Sequence, residues 1–335
     1  MSQSKNFALI GASGYIAPRH LKAIKETGNN LACALDKNDS VGVIDSFFPD
    51  AEYFIEYERF DRHLDRLLRN SDSPVDYISI CTPNYLHDSE IRFALRSGAN
   101  AICEKPLVLN PWNVDALEDF QKDYQGTISC IMQLRLHPSI MALKKQIQEA
   151  GPDRVYDIDL NYITSRGKWY FSSWKADLIK SGGVATNIGV HFFDMLTWIF
   201  GPIEENVVHM HNYNRAAGYL RLKQARVRWF LSVEYDDIPS EIKKNDQRTY
   251  RSLLMDGQEL EFSDGFTDLH TRSYKEILEG NSFGVSSARK SIEAVYKIRS
   301  SYPIGMKGDY HPYIKKLGIT DFRMPQGGPD FNKDC

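Results

Sequence analysis

Between residues 6 and 135, short apolar runs alternate with stretches of helical period, and this pattern narrows the fold more than any other feature. The runs are "NFALIG" (6–11), "LACALD" (31–36), "EYFIEY" (52–57), "VDYISICTP" (75–83), "NAIC" (100–103) and "TISCIMQLR" (127–135). Between them, "APRHLKAIKET" spaces Leu21 and Ile24 for one helical face, and "RFDRHLDRLLRN" does the same with Phe60, Leu64, Leu67 and Leu68. Strand and helix in alternation require crossover connections, hence a parallel sheet covered on both faces. The fold class expected for residues 1–135 is α/β, a doubly wound Rossmann sheet whose ligands sit beyond the carboxyl ends of its strands.

The alternation stops near residue 136. "PSIMALKKQIQEAG" reads as a helix, "VYDIDLNYIT" as a long alternating strand and "GGVATNIGVHFFDMLTWIFG" (182–201) as one amphipathic helix. A succession of strand signals follows, which favours a mostly antiparallel sheet, and then two helices. From about Tyr302 no period is clear, and the last stretch reads as a tail wrapping the surface. A chain of 335 residues exceeds the size at which one core stops growing, so two domains are expected, 1–135 and 136–315, with a tail over 316–335. The second is expected to be α+β with an open sheet.

A net charge of −3 gives no reason to expect nucleic acid or an acidic membrane as partner. No apolar run approaches the roughly 20 residues of a membrane span, and "MSQSKN" carries no signal-peptide core, so cytoplasm is the expected compartment. The five cysteines have neither metal-ligand spacing nor a paired framework, and no metal is expected.

Three motifs carry chemistry. "GASGYIA" (11–17) follows the first strand and opens the first helix, where a glycine turn lets a pyrophosphate approach backbone N–H groups. Ser13 stands where a second glycine is usual, with Gly14 beside it. Asp36 ends the second strand, where an acid accepts hydrogen bonds from the adenosine ribose, so NAD is the expected cofactor. "CTPNYLH" (81–87) and "CEKP" (103–106) end the fourth and fifth strands, at the edge where that cofactor would lie, and Glu104 and Lys105 are read as facing the nicotinamide. In the helix read over 182–201, Asn187, His191 and Asp194 share one face, a proton-transfer stripe suited to work beside a hydride acceptor.

Together these pieces resemble the glucose–fructose oxidoreductase/inositol dehydrogenase (Gfo/Idh/MocA) family. Gly182, Gly183, Gly189, His191 and Asp194 match its helix signature, whereas Asn187 replaces the usual first aspartate and shifts weight to Lys105 and His191. "GYIAPRHLKAIK", "DKNDSVGVIDS", "KWYFSSWKADLIKSGGVATNIGVHFFDML" and "FSDGFTDLHTRSYKEIL" look like one branch of it, which acts on a UDP-linked uronic acid in bacterial surface-polysaccharide (O-antigen, lipopolysaccharide) assembly. The resemblance implies oxidation of the C3 hydroxyl of UDP-N-acetyl-D-glucosaminuronic acid by NAD. It places Gly11, Ser13, Gly14, Tyr15, Ile16, Asp36, Lys37, Thr82, Pro83, Asn84, His87, Glu104, Lys105 and Gln133 at the cofactor. Arg19, Arg166, Lys168 and Lys175 are the candidate cations for a substrate bearing a carboxylate and a diphosphate, with Tyr15, Trp169, Tyr170, Asn187 and His191 beside them. It further implies a homo-oligomer, plausibly a tetramer, and 2-oxoglutarate as a possible hydride acceptor. The rival readings are another sugar or inositol dehydrogenase of the family, which would carry aspartate at 187, and a cofactor-binding regulator without chemistry.

Overall fold

The computed structural model describes residues 4–40, 42–70, 72–260 and 268–323. In chain order the first elements are β1 (Asn6–Ile10), α1 (Ala17–Glu26), β2 (Asn30–Leu35), α2 (Gly42–Asp45), β3 (Glu52–Phe54), α3 (Tyr57–Asn70), β4 (Tyr77–Ile80), α4 (His87–Arg96), β5 (Asn100–Cys103), α5 (Pro111–Gln121) and β6 (Ile128–Cys130). There follow α6 (Pro138–Glu149), β7 (Tyr156–Thr164), α7 (Leu178–Ser181), α8 (Gly183–Asn187), α9 (Val190–Phe200), β8 (Ile203–His211), β9 (Arg215–Leu222) and β10 (Ala225–Ser232). The last are α10 (Ser240–Lys243), β11 (Thr249–Met255), β12 (Gln258–Glu259), α11 (Leu269–Leu278), α12 (Val285–Ser300) and α13 (Pro312–Lys316).

The chain forms two compact units, residues 1–136 with 267–289, and residues 137–266 with 290–335. In the first, six parallel strands lie in the order β3-β2-β1-β4-β5-β6. The order reverses direction beside β1, so the crevice at the carboxyl ends of β1 and β4 is the ligand position such a sheet provides. α1 buries Ala17, His20, Leu21 and Ile24, a stripe of helical spacing, in a core shared with Phe7, Leu9, Tyr274 and Ile277. Tyr274 and Ile277 belong to α11, so the chain returns late to complete the first unit, a segment that the boundary read at 135–136 did not separate.

The second unit holds a six-stranded sheet ordered β12-β11-β7-β10-β9-β8, antiparallel except where β7 pairs with β10. The run read as a single amphipathic helix over 182–201 is two helices, α8 and α9, and nearly all of it is buried. Gly189 stands at the break. A Cβ there would lie 2.5 Å from both the Ala185 carbonyl oxygen and Leu231 Cδ1, so only glycine lets the chain pass so close to β10. The stretch after Tyr302 is not a surface wrap: Tyr313 and Ile314 of α13 sit in a core with Ile163, Met210, Phe230 and Ile238. The third and sixth strands are shorter than the runs that signalled them, and the "EFS" of "QELEFS" and the end of the tail lie outside the described residues.

Candidate active site

The glycine turn and the acid of β2 are brought together in the first unit. Gly11 has φ +87°, and a Cβ on it would come within 2.8 Å of the Cys81 carbonyl carbon and the Thr82 nitrogen. The turn therefore packs against the end of β4, a close approach that a side chain would fill. Asp36 Oδ2 accepts the Ser13 backbone N–H at 2.9 Å, and its Oδ1 accepts that of Asn38 at 3.0 Å. A carboxylate held beside the turn is the arrangement a ribose needs. No side chain among the described residues caps the start of α1 at Ile16; the Ala17 and Arg19 N–H groups donate to the Gly14 and Ile16 carbonyls, and Pro18 has none to offer. Gly14 is half-buried, and Tyr15, Arg19 and Lys37 are exposed. These residues fit NAD.

At the neighbouring strand ends, Asn84, His87 and Gln133 are buried, and Thr82, Pro83 and Lys105 half-buried. Both His87 nitrogens meet carbonyls, Nδ1 that of Pro106 at 2.8 Å and Nε2 that of Thr82 at 3.0 Å. Burial lowers the ring's proton affinity against the pull of those carbonyls, and a neutral ring donates to one of them at a time. Thr82 Oγ1 donates to Glu90, whose carboxyl burial pushes up to about 8. Burial likewise raises the thiols of Cys33, Cys81 and Cys103, which are core residues.

Glu104, read from the sequence as facing the nicotinamide with Lys105, is buried among side chains of its own unit. It is 5% exposed, and its Oε1 accepts from His20 Nε2 at 2.9 Å and His270 Nε2 at 2.8 Å. His20 Nδ1 meets Tyr274 Oη at 2.7 Å, and Tyr274 Oη meets Ser79 Oγ at 2.6 Å. Glu104 Oε2 accepts the Lys105 backbone N–H at 3.2 Å. Burial would raise the Glu104 carboxyl, but the two histidine hydrogen bonds outweigh it and hold it well below the usual range. Burial keeps His20 neutral by lowering its proton affinity. Sequence reasoning missed His20, His270, Tyr274 and Glu90. One signal was available: His20 occupies a core position of the α1 stripe.

In the second unit, the break at Gly189 places Asn187 at the end of α8 and His191 in the first turn of α9. They do not share one continuous helix, and the expectation of a single stripe is corrected accordingly. Asp194 and Asn187 are buried; His191 is half-buried. Asn187 Nδ2 donates to Tyr170 Oη at 3.1 Å. Burial raises the Tyr170 phenol, with Asn187 and the Arg166 charge pulling the other way, so Arg166 is close to it. Tyr170 is fully buried and supports Asn187, whereas Trp169 and Lys168 are exposed. Lys175 Nζ lies over the Trp174 ring at 4.4 Å. The arrangement offers one imidazole, cations and an exposed aromatic on neighbouring segments.

Residues 5–130 match the family model described as "Oxidoreductase family, NAD-binding Rossmann fold", and residues 144–242 its counterpart, "Oxidoreductase family, C-terminal alpha/beta domain". Among solved structures, the WlbA (WbpB) dehydrogenase from Thermus thermophilus in complex with NAD and alpha-ketoglutarate is 47% identical with a TM-score of 0.88, covering 92% of this chain and 99% of that one. In complex with NAD and UDP-GlcNAcA it is 46% identical with a TM-score of 0.87, over the same shares. Among curated proteins, the inositol 2-dehydrogenase of Rhizobium meliloti is 32% identical over 197 residues, 58% of this chain and 54% of that protein. The match spans about half the length of the first curated relatives.

Proposed function

Because this chain belongs to the GFO_IDH_MocA oxidoreductase family, with its NAD-binding Rossmann fold, we propose that it oxidises the C3 hydroxyl of UDP-N-acetyl-D-glucosaminuronic acid to the 3-keto sugar. The observation that carries this reading is the full-length likeness to the Thermus thermophilus dehydrogenase bound to NAD and UDP-GlcNAcA. NAD, when bound, supplies the hydride acceptor; Gly11, Gly14 and Ser13 would hold its pyrophosphate and Asp36 its ribose.

The chain's own residues supply the proton chemistry. Oxidising a secondary alcohol releases the hydroxyl proton, and a base within hydrogen-bond reach must take it. Lys105 is that base, and His191 is the second acid–base group of the chain's proton chemistry. Asn187 does not ionise; it donates to the Tyr170 hydroxyl. Arg19, Arg166, Lys168 and Lys175 meet the carboxylate and diphosphate, and Trp169 offers a stacking face. 2-Oxoglutarate would be the acceptor that restores the oxidised cofactor, its ketone being reduced to the 2-hydroxy acid. The functional particle is a homo-oligomer.

Purified protein is to be incubated with UDP-N-acetyl-D-glucosaminuronic acid, with and without 2-oxoglutarate, while reduced nicotinamide is followed by absorbance and the sugar by mass. A two-dalton loss from the sugar is expected, with turnover sustained by 2-oxoglutarate. Equal rates on N-acetylglucosamine without UDP would remove the substrate assignment, since remote binding energy then does no work at the reacting carbon.

A further inference from the structure

We infer that His20, His270 and Tyr274 are positioning residues that act through Glu104 on the backbone of Lys105. The inference rests on the reading of Lys105 as the base. An ionised carboxylate only accepts hydrogen bonds, so Glu104 requires an N–H on Nε2 of both His20 and His270. In a neutral His20, Nδ1 is then the lone-pair nitrogen and accepts from the Tyr274 hydroxyl, which in turn accepts from Ser79. One charge thus orients every donor in a chain of five side chains, all of them buried.

A buried carboxylate is costly unless hydrogen-bonded, and an apolar side chain would fill the space without that cost. What an apolar residue could not do is hold the next peptide. Glu104 Oε2 takes the Lys105 N–H, while the Glu104 N–H donates to Ile80 O at 3.1 Å and ties the end of β5 to β4. On the other side of Lys105, the Pro106 carbonyl is held by His87. Lys105 therefore hangs between two fastened peptides. A misplacement of about 1 Å at a reacting group costs up to about a hundredfold in rate, which gives such fastening its value.

The test measures kcat, KM for the nucleotide sugar and Kd for NAD in five variants. Glu104→Gln keeps the shape but can turn an amide N–H toward the Lys105 N–H; kcat is expected to fall about tenfold to a hundredfold, with KM and the NAD Kd unchanged. Tyr274→Phe keeps the ring and frees His20 to change tautomer; a smaller fall in kcat alone is expected. His270→Gln, which retains an N–H donor, should recover most of the kcat lost in His270→Leu, and this pair decides the matter if Glu104→Gln does not fold. Equal losses in the two His270 variants, a lowered melting temperature with normal kcat, or a loss confined to NAD affinity would each overturn the inference. Lys105→Met separates the premise from the inference: near-normal activity there sinks the base assignment, whereas an inactive Lys105→Met beside fully active network variants sinks only the positioning role.

Discussion

Asn187 donates an amide N–H to the Tyr170 hydroxyl and carries no acid–base group of its own. Replacing Lys105 or His191 with alanine is accordingly expected to lower kcat by about two to four powers of ten, the range for losing acid–base catalysis. NAD binding, followed by fluorescence titration, should survive both changes. Asp36 sets a second expectation. Its carboxylate is fastened by Ser13 and Asn38, and on the proposed ribose placement it would oppose a 2′-phosphate. Since opposed like charges cost several kcal/mol, kcat/KM with NAD should exceed that with NADP by at least about tenfold. Parity between the two cofactors would refute this placement. The turn, Asp36 and the Glu-Lys strand end were legible because each lies at a strand end that local pattern defines. The partners of Glu104 were not, because His270 stands 166 residues away and no period links it to Glu104.

Element boundaries show where pattern reading stops. An amphipathic signal needs a polar face, and the 182–201 stretch has almost none, being buried on nearly every side. Its break at Gly189 was therefore invisible, although the glycine that makes it was noted as a signature. Gly189→Ala would push a methyl group against the Ala185 carbonyl oxygen and Leu231 Cδ1. Overpacking of this kind costs about 1–3 kcal/mol, and a melting temperature lower by several degrees is expected in calorimetry. An unchanged melting temperature would mean that the close approach is not what holds the break. The alternating strands and helices of the first unit were readable throughout because apolar runs of a parallel sheet stand out against helical stripes, even where β3 and β6 proved shorter.

For the whole molecule, acid should destabilise the second unit as well as the first, whose His20 and His87 are also lowered by burial. Burial lowers His211 from 6.5 to about 4 and His311 to about 3, and His311 Nδ1 accepts the Tyr313 N–H that begins α13, a bond only the neutral ring makes. Both folded values are depressed, so the rings cost nothing above pH 6.5. As pH falls below that, the unfolded chain takes up protons first, and stability drops until the folded values are reached. At pH 5 the loss is about 2 kcal/mol for each ring. Melting temperature should fall between pH 7 and 5, and His311→Asn, which keeps a capping oxygen, should flatten that slope. A flat profile in the parent protein would contradict buried neutral rings. The return of residues 267–289 to the first unit was not legible, because nothing local marks which core a late amphipathic helix joins.

That return has a consequence in time. Synthesis proceeds at about 5–20 residues per second, so β1–β6 leave the ribosome on the order of ten seconds before α11 does. Throughout that interval Glu104 lacks His270, and Phe7 lacks the ring of Tyr274 against which it stacks. The first unit to be made is the one that must wait, and its cofactor cradle becomes complete only when nearly the whole chain exists. A fragment ending at residue 136 should accordingly fail to bind NAD, and adding residues 267–289 through a short linker should restore binding.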